Sequence, residues 1–168
     1  MEKKYSRPKR PFDKIRIEEE NVIKEKYGLK NKKEIWKADA AIKKIRNQAK
    51  TLITKSDEEK ELFVKKLQKK GFPVNNLAEV LGLDKTNWLK RRLQTIVFNK
   101  KLAKTMKQAR QFITHKKILI EDKITNKPSY QVSLEKEPSI KLNLTLRTIK
   151  KKFAPEIIKK NTIEGEAL

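Results

Sequence analysis

The chain has 168 residues, with 44 Lys and Arg against 21 Asp and Glu, a formal net charge of +23 that a compact state sustains only beside a polyanion. Zero cysteines exclude disulfides, thiolate metal sites and cysteine nucleophiles; one histidine, His115, excludes a two-histidine metal site; four glycines at no phosphate-loop spacing exclude the usual nucleotide loops. No run approaches the roughly 20 apolar residues of a membrane helix, and the start, MEKKYSRPKR, lacks the apolar stretch of a secretory signal, so no membrane partner is expected.

The charge is unevenly spread. Residues 1–56 hold 18 basic and 8 acidic side chains, 57–83 hold 5 of each, 84–117 hold 11 basic ones beside the single acid Asp84, and 118–168 hold 10 and 7. This pattern predicts two phosphate-facing surfaces joined by a neutral spacer.

In chain order, residues 1–16 form an extended basic arm, because Pro8 and Pro11 lack backbone donors and bias their neighbours away from helix. Residues 17–27 predict a short helix with Glu18, Glu19 and Glu20 at its start and Gly28 as its stop. Over 34–53, Ile35, Ala38, Ile42, Ile45, Ala49, Leu52 and Ile53 recur at three- and four-residue steps, the stripe of one long helix. Lys43, Arg46 and Lys50 form a row along its flank. Phosphate contact is the reading favoured for that row, with a merely solvated face as the alternative.

Ser56 with Glu59 is a capping-box pattern for a helix that buries Leu62, Phe63 and Leu67 and ends at Gly71-Phe72-Pro73. Asn76 to Leu81 predicts one further turn, stopped by Gly82. The stretch 17–83 is thus a helical phosphate-contacting and packing region, with 57–83 read as a packing spacer. Thr86 or Asp84 caps a helix with Leu89, Leu93, Ile96 and Val97 inward and Arg91, Gln94 and Thr95 outward, while Trp88 and Arg92 border the two faces. A second capping box, Thr105 with Gln108, opens a helix burying Met106, Ala109, Phe112 and Ile113 and exposing Lys107, Arg110 and Gln111.

Ile118-Leu119-Ile120, two acids and Lys123-Ile124 read as a hairpin, Tyr130, Val132 and Leu134 alternate, and Ile140 to Leu146 alternate most strictly. Residues 84–134 therefore make two helices on a small antiparallel sheet, and 135–168 a strand and a basic tail that is partly disordered alone. The fold class is α+β, mainly helical.

Catalytic readings of Glu18 to Glu20, or of Glu121 with Asp122, lose to a helix start and a hairpin turn, and no cofactor is expected. His115 can donate to phosphate or cap the last carbonyls of its helix. What remains is recognition: Lys and Arg for phosphate, with Gln94, Gln108 and Gln111 able to reach base or ribose edges. Sparse aromatics, 7%, favour folded RNA over stacked single strands.

RRLQTIVFNKKLAKTMKQARQFITHKKILI (91–120) followed by NKPSYQV (126–132) resembles the alpha-L RNA-binding domain, most specifically in Thr105-x-x-Gln108-Ala109-Arg110-Gln111-x-Ile113-x-His115 and Pro128-Ser129-Tyr130. With KYSRPKRPFDKIRIEEE (4–20) and KYGLKNKKEIWKADAAIKKIRNQA (26–49), the chain is similar to the universal small-subunit ribosomal protein four family, in its archaeal and eukaryotic branch. The resemblance implies a non-enzymatic, primary binder of small-subunit ribosomal RNA in the cytoplasmic ribosome. It implies early assembly of the 5′ domain and a place beside small-subunit protein five, near the channel through which messenger RNA enters, with an influence on decoding accuracy. Carried onto this sequence, the helix-pair contacts are Arg91, Arg92, Lys104, Lys107, Gln108, Arg110, Gln111 and His115. The N-terminal contacts are Arg7, Lys9, Arg10, Lys30, Lys32, Lys33, Lys43 and Arg46.

Family members often carry Gly after the histidine and Asn-Gly at the hairpin tip, where Lys116 and Glu121-Asp122 stand here; a turn without glycine is expected to use another geometry. Two rivals remain: a generic nucleic-acid packager, indifferent to which duplex it meets, and an RNA-modifying enzyme with an accessory domain. The enzyme would need a catalytic domain for which the binding segments leave no room.

Overall fold

A computed structural model describes residues 5–143; the tail beyond Asn143, with the expected strand positions Leu144 and Leu146, lies outside the described residues. In chain order the helices are α1 (Lys14–Lys26), α2 (Lys33–Leu52), α3 (Asp57–Lys69), α4 (Leu77–Leu81), α5 (Lys85–Lys90), α6 (Leu93–Asn99) and α7 (Met106–Thr114). The strands are β1 (Ile118–Ile120), β2 (Lys123–Ile124) and β3 (Ile140–Leu142), hydrogen-bonded in the order β2-β1-β3 with both pairings antiparallel. The fold is α+β and mainly helical. No helix among the described residues is long and apolar enough to cross a membrane.

α2 is the spine. Its buried stripe, Ile35, Ala38, Ile42, Ile45 and Ala49, joins two patches of core. At its C-terminal half Ile42, Ile45 and Ala49 meet Val64 and Leu67 of α3, Phe72, Val74 and Val80. At its N-terminal half Ile35 and Ala38 meet Tyr27, Leu29 and Leu89. Trp88 packs against both patches and stacks on Phe72, with ring centroids 6.0 Å apart. A third patch lies between the α6–α7 pair and the sheet: Leu93, Ile96, Val97, Ala109, Phe112, Ile113, Ile118, Ile120, Val132 and Ile140.

Several local expectations change. α1 begins at Lys14, inside the expected arm, because Asp13 Oδ1 caps it by accepting from the Arg16 N–H at 3.4 Å. The three glutamates are therefore not in its first turn, and Glu20, 4% exposed, turns into the core. Ser56 makes no side-chain cap bond, the Glu59 carboxylate pairs with Lys55 at 3.0 Å instead of reaching back to the Ser56 N–H, and Leu62 is 66% exposed while Val64 takes its place inside. The expected helix from Asp84 breaks at Arg91-Arg92, where Leu93 N–H donates to Tyr130 O at 2.8 Å and Val132 N–H to Arg91 O at 3.0 Å. A short ladder from a distant segment thus replaces helical bonds, and the strand expected at 130–134 is reduced to this bridge.

Leu93 to Val97 of α6 are consequently all buried. Gln94 and Thr95, expected outward, are buried, and Thr95 Oγ1 donates to Leu89 O at 2.8 Å. β3 pairs with β1 in register Ile118 with Leu142 and Ile120 with Ile140, so the sheet reaches past residue 134. The hairpin keeps the left-handed geometry without glycine: φ is +48° at Glu121 and +62° at Asp122. A two-residue connection between right-twisted strands requires positive φ at both centres, Asp tolerates it, and Lys136 Nζ holds Glu121 at 3.0 Å.

Candidate nucleic-acid interface

The seam between the N-terminal helices and the α6–α7 pair is built on two polar side chains. Glu34, in the first turn of α2, accepts from Arg92 and from both terminal nitrogens of Arg110, at 3.1 and 3.4 Å. Gln94 Nε2 faces three carbonyls, Gly28 at 2.9 Å, Met106 at 3.0 Å and Tyr27 at 3.2 Å, so its two protons are shared among them. Burial works to raise the Glu34 carboxyl, but hydrogen bonds and charge from Arg92 and then Arg110 outweigh it and hold the group below its ordinary value.

Gly28 makes the close approach possible. It follows α1 with φ +57°, its N–H and that of Leu29 donate to the carbonyls of Glu25 and Lys24, and a Cβ there would stand 2.8 Å from Met106 Cβ. Helix α7 is set by Thr105, whose Oγ1 accepts from Gln108 N–H at 3.1 Å, while Gln108 Oε1 reaches back to Lys104 N–H at 2.7 Å. The box therefore closes one residue upstream of the usual pairing.

The expected contact residues divide sharply into inward and outward groups. Arg92 is 4% exposed and paired with Glu34; Arg91 donates to Val132 O at 2.8 Å and pairs with Glu137 at 2.9 Å. Both were placed on or beside an outward face; the break at 91–92 turns them in. Arg46 donates through Nε to Leu83 O at 3.0 Å, which removes it from the row with Lys43 and Lys50. Lys32 reaches Ile17 O at 3.1 Å and Glu20 at 3.6 Å. Arg110 has its guanidinium fork closed on Glu34, and Gln108 is engaged in the cap.

What remains open to solvent along α7 is Lys107 and Gln111, four residues apart on one side of the helix, with Lys104 just ahead of the extended cap residue Thr105 and His115 at the C-terminal cap. Lys101 and Lys116 extend this set, each exposed with φ +58° at the end of a helix, where Leu102 and Lys117 N–H groups donate to Val97 O and Phe112 O. Lys116 thus takes the left-handed position that glycine favours. Lys30 and Lys33 are exposed near the same seam, and Lys37 lies 5.8 Å from the Tyr5 ring centroid. A cleft of about 300 Å³ runs along the seam, with Asn31, Lys37, Trp88, Arg110 and Ser129 in its walls.

A second cleft, of about 430 Å³, lies between the arm and α2 and brings Arg7 and Lys9 together with Lys43 and Lys85. Arg16 fixes the arm there through the carbonyls of Arg10, at 3.0 Å, and Pro11, at 2.9 Å. Arg10 itself is exposed. Sequence reasoning did not single out Glu34 or Lys85. For Glu34 the available signal was its being the sole acid between Lys30 and Lys37; nothing marked Lys85.

A helix pair seated on a three-stranded sheet, with a cationic row along its second helix, is the arrangement of a nucleic-acid recognition module, and the S4 domain family matches this chain over residues 91–137. Across most of its length the chain is 42% identical to small ribosomal subunit protein uS4 of Picrophilus torridus, covering 85% of this chain and 83% of that one. It is 43% identical to uS4 of Thermoplasma acidophilum (82% and 74% covered) and 41% identical to uS4 of Methanosphaera stadtmanae (82% and 79%). The chain belongs to the family of small ribosomal subunit protein uS4, with archaeal relatives. It is a family of ribosomal proteins, not of enzymes.

Proposed function

We propose that this chain is a constituent of the small ribosomal subunit, in the cytoplasm, that binds ribosomal RNA. The single observation that carries the reading is the segregation of cations: the arginines of the seam are locked into internal pairs, whereas Lys101, Lys104, Lys107, Gln111, His115 and Lys116 are left together at the surface. A row of lysines supplies the salt-dependent phosphate attraction, and Gln111 and His115 can reach 2′-hydroxyls or base edges at its end. The arm cleft, with Arg7, Lys9 and Lys43, adds a second contact, and Lys30 and Lys33 lie on the N-terminal side of the seam.

Two basic surfaces on one fold suit a junction of several RNA helices better than one uniform duplex. The sequence resemblance supports a finer reading, in which the target is the 5′ domain, binding comes early in assembly, and the bound protein sits beside small-subunit protein five near the channel through which messenger RNA enters, where it influences decoding accuracy.

The test is a competition titration of the full chain at two salt concentrations, with small-subunit 5′-domain RNA against a random duplex of equal length. The expected result is preference for the 5′-domain RNA that survives added salt. Equal competition, with both affinities falling together as salt rises, would show charge acting alone and replace this reading with a generic packager.

A further inference from the structure

The outward face of α1 is unlike the rest of the molecule. Ile15, Glu18, Val22 and Glu25 follow one another at steps of three, four and three residues and so lie in one line along the helix, all exposed. The opposite side is committed: Glu20 accepts from Arg16 at 2.8 Å and from Trp36 Nε1 at 2.9 Å, and Ile23 packs with Tyr27 and Ile35. Ile15 is 71% exposed, Val22 65%, and Phe12, just ahead of the helix, 92%. Single exposed apolar side chains are ordinary, but here Ile15 and Val22 alternate with two carboxylates on one line, with Phe12 just ahead of it.

The charge on that line decides what can cover it. Glu18, Glu19 and Glu25 make no ion pair among the described residues, in a chain where bases outnumber acids 44 to 21. Lys14 and Lys26 stand only at the ends of the face. Phosphate brought against unpaired carboxylates is repelled, which disfavours both RNA and an anionic lipid surface. A second copy of the same face is disfavoured too, since it adds its own unpaired carboxylates to the contact and brings no cation between the ends of the line. A basic protein segment is attracted, and its apolar side chains find Ile15, Val22 and Phe12.

We propose that the outward face of α1 docks a short basic, amphipathic segment of a neighbouring protein in the assembled small subunit. The helix has 13 residues, which at 1.5 Å each gives a footprint about 20 Å long, the scale of a peptide laid along a helix. This face is separate from the cationic row of α7 and does not depend on what that row binds.

The experiment places a photo-reactive benzophenone amino acid at position 22 of the full chain, or at position 107 in a parallel sample, in assembled small subunits. The expected result is that position 22 labels a protein, with the labelled peptide carrying net positive charge, while position 107 labels RNA. Replacing Glu18→Lys and Glu25→Lys together should lower the adduct at position 22 by about tenfold and leave the adduct at 107 unchanged. Labelling of RNA, lipid, a second copy or this chain's own tail from position 22 overturns the proposal, as does no adduct, or one indifferent to the charge reversals. Failure of position 107 alone to label RNA would count against the RNA-binding reading and leave this one standing.

Discussion

Glu34 and Arg92, 58 residues apart in sequence, form an ion pair in the seam between the N-terminal helices and the α6–α7 pair, and Arg110 closes on the same carboxylate from the other side. Arg92 is the more buried partner, so the pair is asymmetric: loss of the acid strands a buried cation, whereas loss of the base leaves a carboxylate that still has Arg110. Glu34→Ala should therefore destabilise the free protein by about 3 kcal/mol, and Arg92→Ala by less. Urea unfolding of both variants checks the order.

The same carboxylate makes stability pH-dependent. Burial works to raise the Glu34 carboxyl, but its hydrogen bonds and charge contacts with Arg92 and Arg110 prevail, so the folded value lies below the ordinary 4.5. A carboxyl depressed on folding contributes stability that is fully present above the unfolded value and is lost as pH falls through the folded one. The urea midpoint of the wild type should decline below about pH 4.5, and Glu34→Gln, which cannot titrate, should show a shallower decline. Parallel curves for the two proteins would remove Glu34 from the acid response.

Gly28 tests how tightly the halves are joined. With φ +57° and Met106 Cβ at 2.8 Å from where a Cβ would stand, Gly28→Ala meets both a left-handed backbone and a contact with α7. The backbone alone contributes about 1–2 kcal/mol, and separation of the halves would add the loss of the Gln94 bonds to Tyr27 and Gly28. The expected outcome is a loss of at least that size in the urea experiment, with increased amide exchange at Gly28 and Leu29.

Much of this frame was legible because apolar period reports burial directly. The α2 stripe from Ile35 to Ala49, the α7 face with Ala109, Phe112 and Ile113, and the Ile118-Leu119-Ile120 strand lie where their spacing places them, whereas Ile53, expected to continue the stripe, caps the helix end and is 52% exposed. What was not legible depends on partners distant in sequence. Nothing within 84–99 announces the break at Arg91-Arg92, because the ladder that causes it comes from residues 130–132. Once Leu93 to Val97 of α6 are all buried, a helical wheel that assumes one wet face misplaces Gln94 and Thr95. Residue type carries the same limit for the site: Arg92 and Lys107 read alike as cations in the sequence, and only the fold distinguishes the one locked on Glu34 from the one facing solvent.

Lys101 and Lys116 hold φ +58° at helix ends that glycine would occupy without strain. Replacing either with glycine should relieve the left-handed conformation while adding chain entropy to the unfolded state, a net stabilisation of about 0.5–1 kcal/mol. Each replacement also removes an exposed cation beside the α7 row. The two lysines should thus show opposite signs in two assays, higher urea midpoint and weaker RNA binding. A glycine variant that binds RNA as tightly as the wild type would take that lysine out of the interface.

The division of cations yields the sharpest contrast. Lys107→Ala should leave the urea midpoint unchanged, because the side chain is exposed and no partner among the described residues holds it, and should weaken binding of 5′-domain RNA while lowering the salt slope of the affinity by about 1. Arg92→Ala should do the reverse at first order: the midpoint falls, because the pair with Glu34 is lost, while the salt slope stays, because a buried guanidinium displaces no counterion. Measuring both quantities for both variants separates a cation that binds from one that builds. If Arg92→Ala lowered the salt slope as much as Lys107→Ala did, its guanidinium would have to leave Glu34 for phosphate in the bound state, and the inward assignment of the seam arginines would hold only for the free protein.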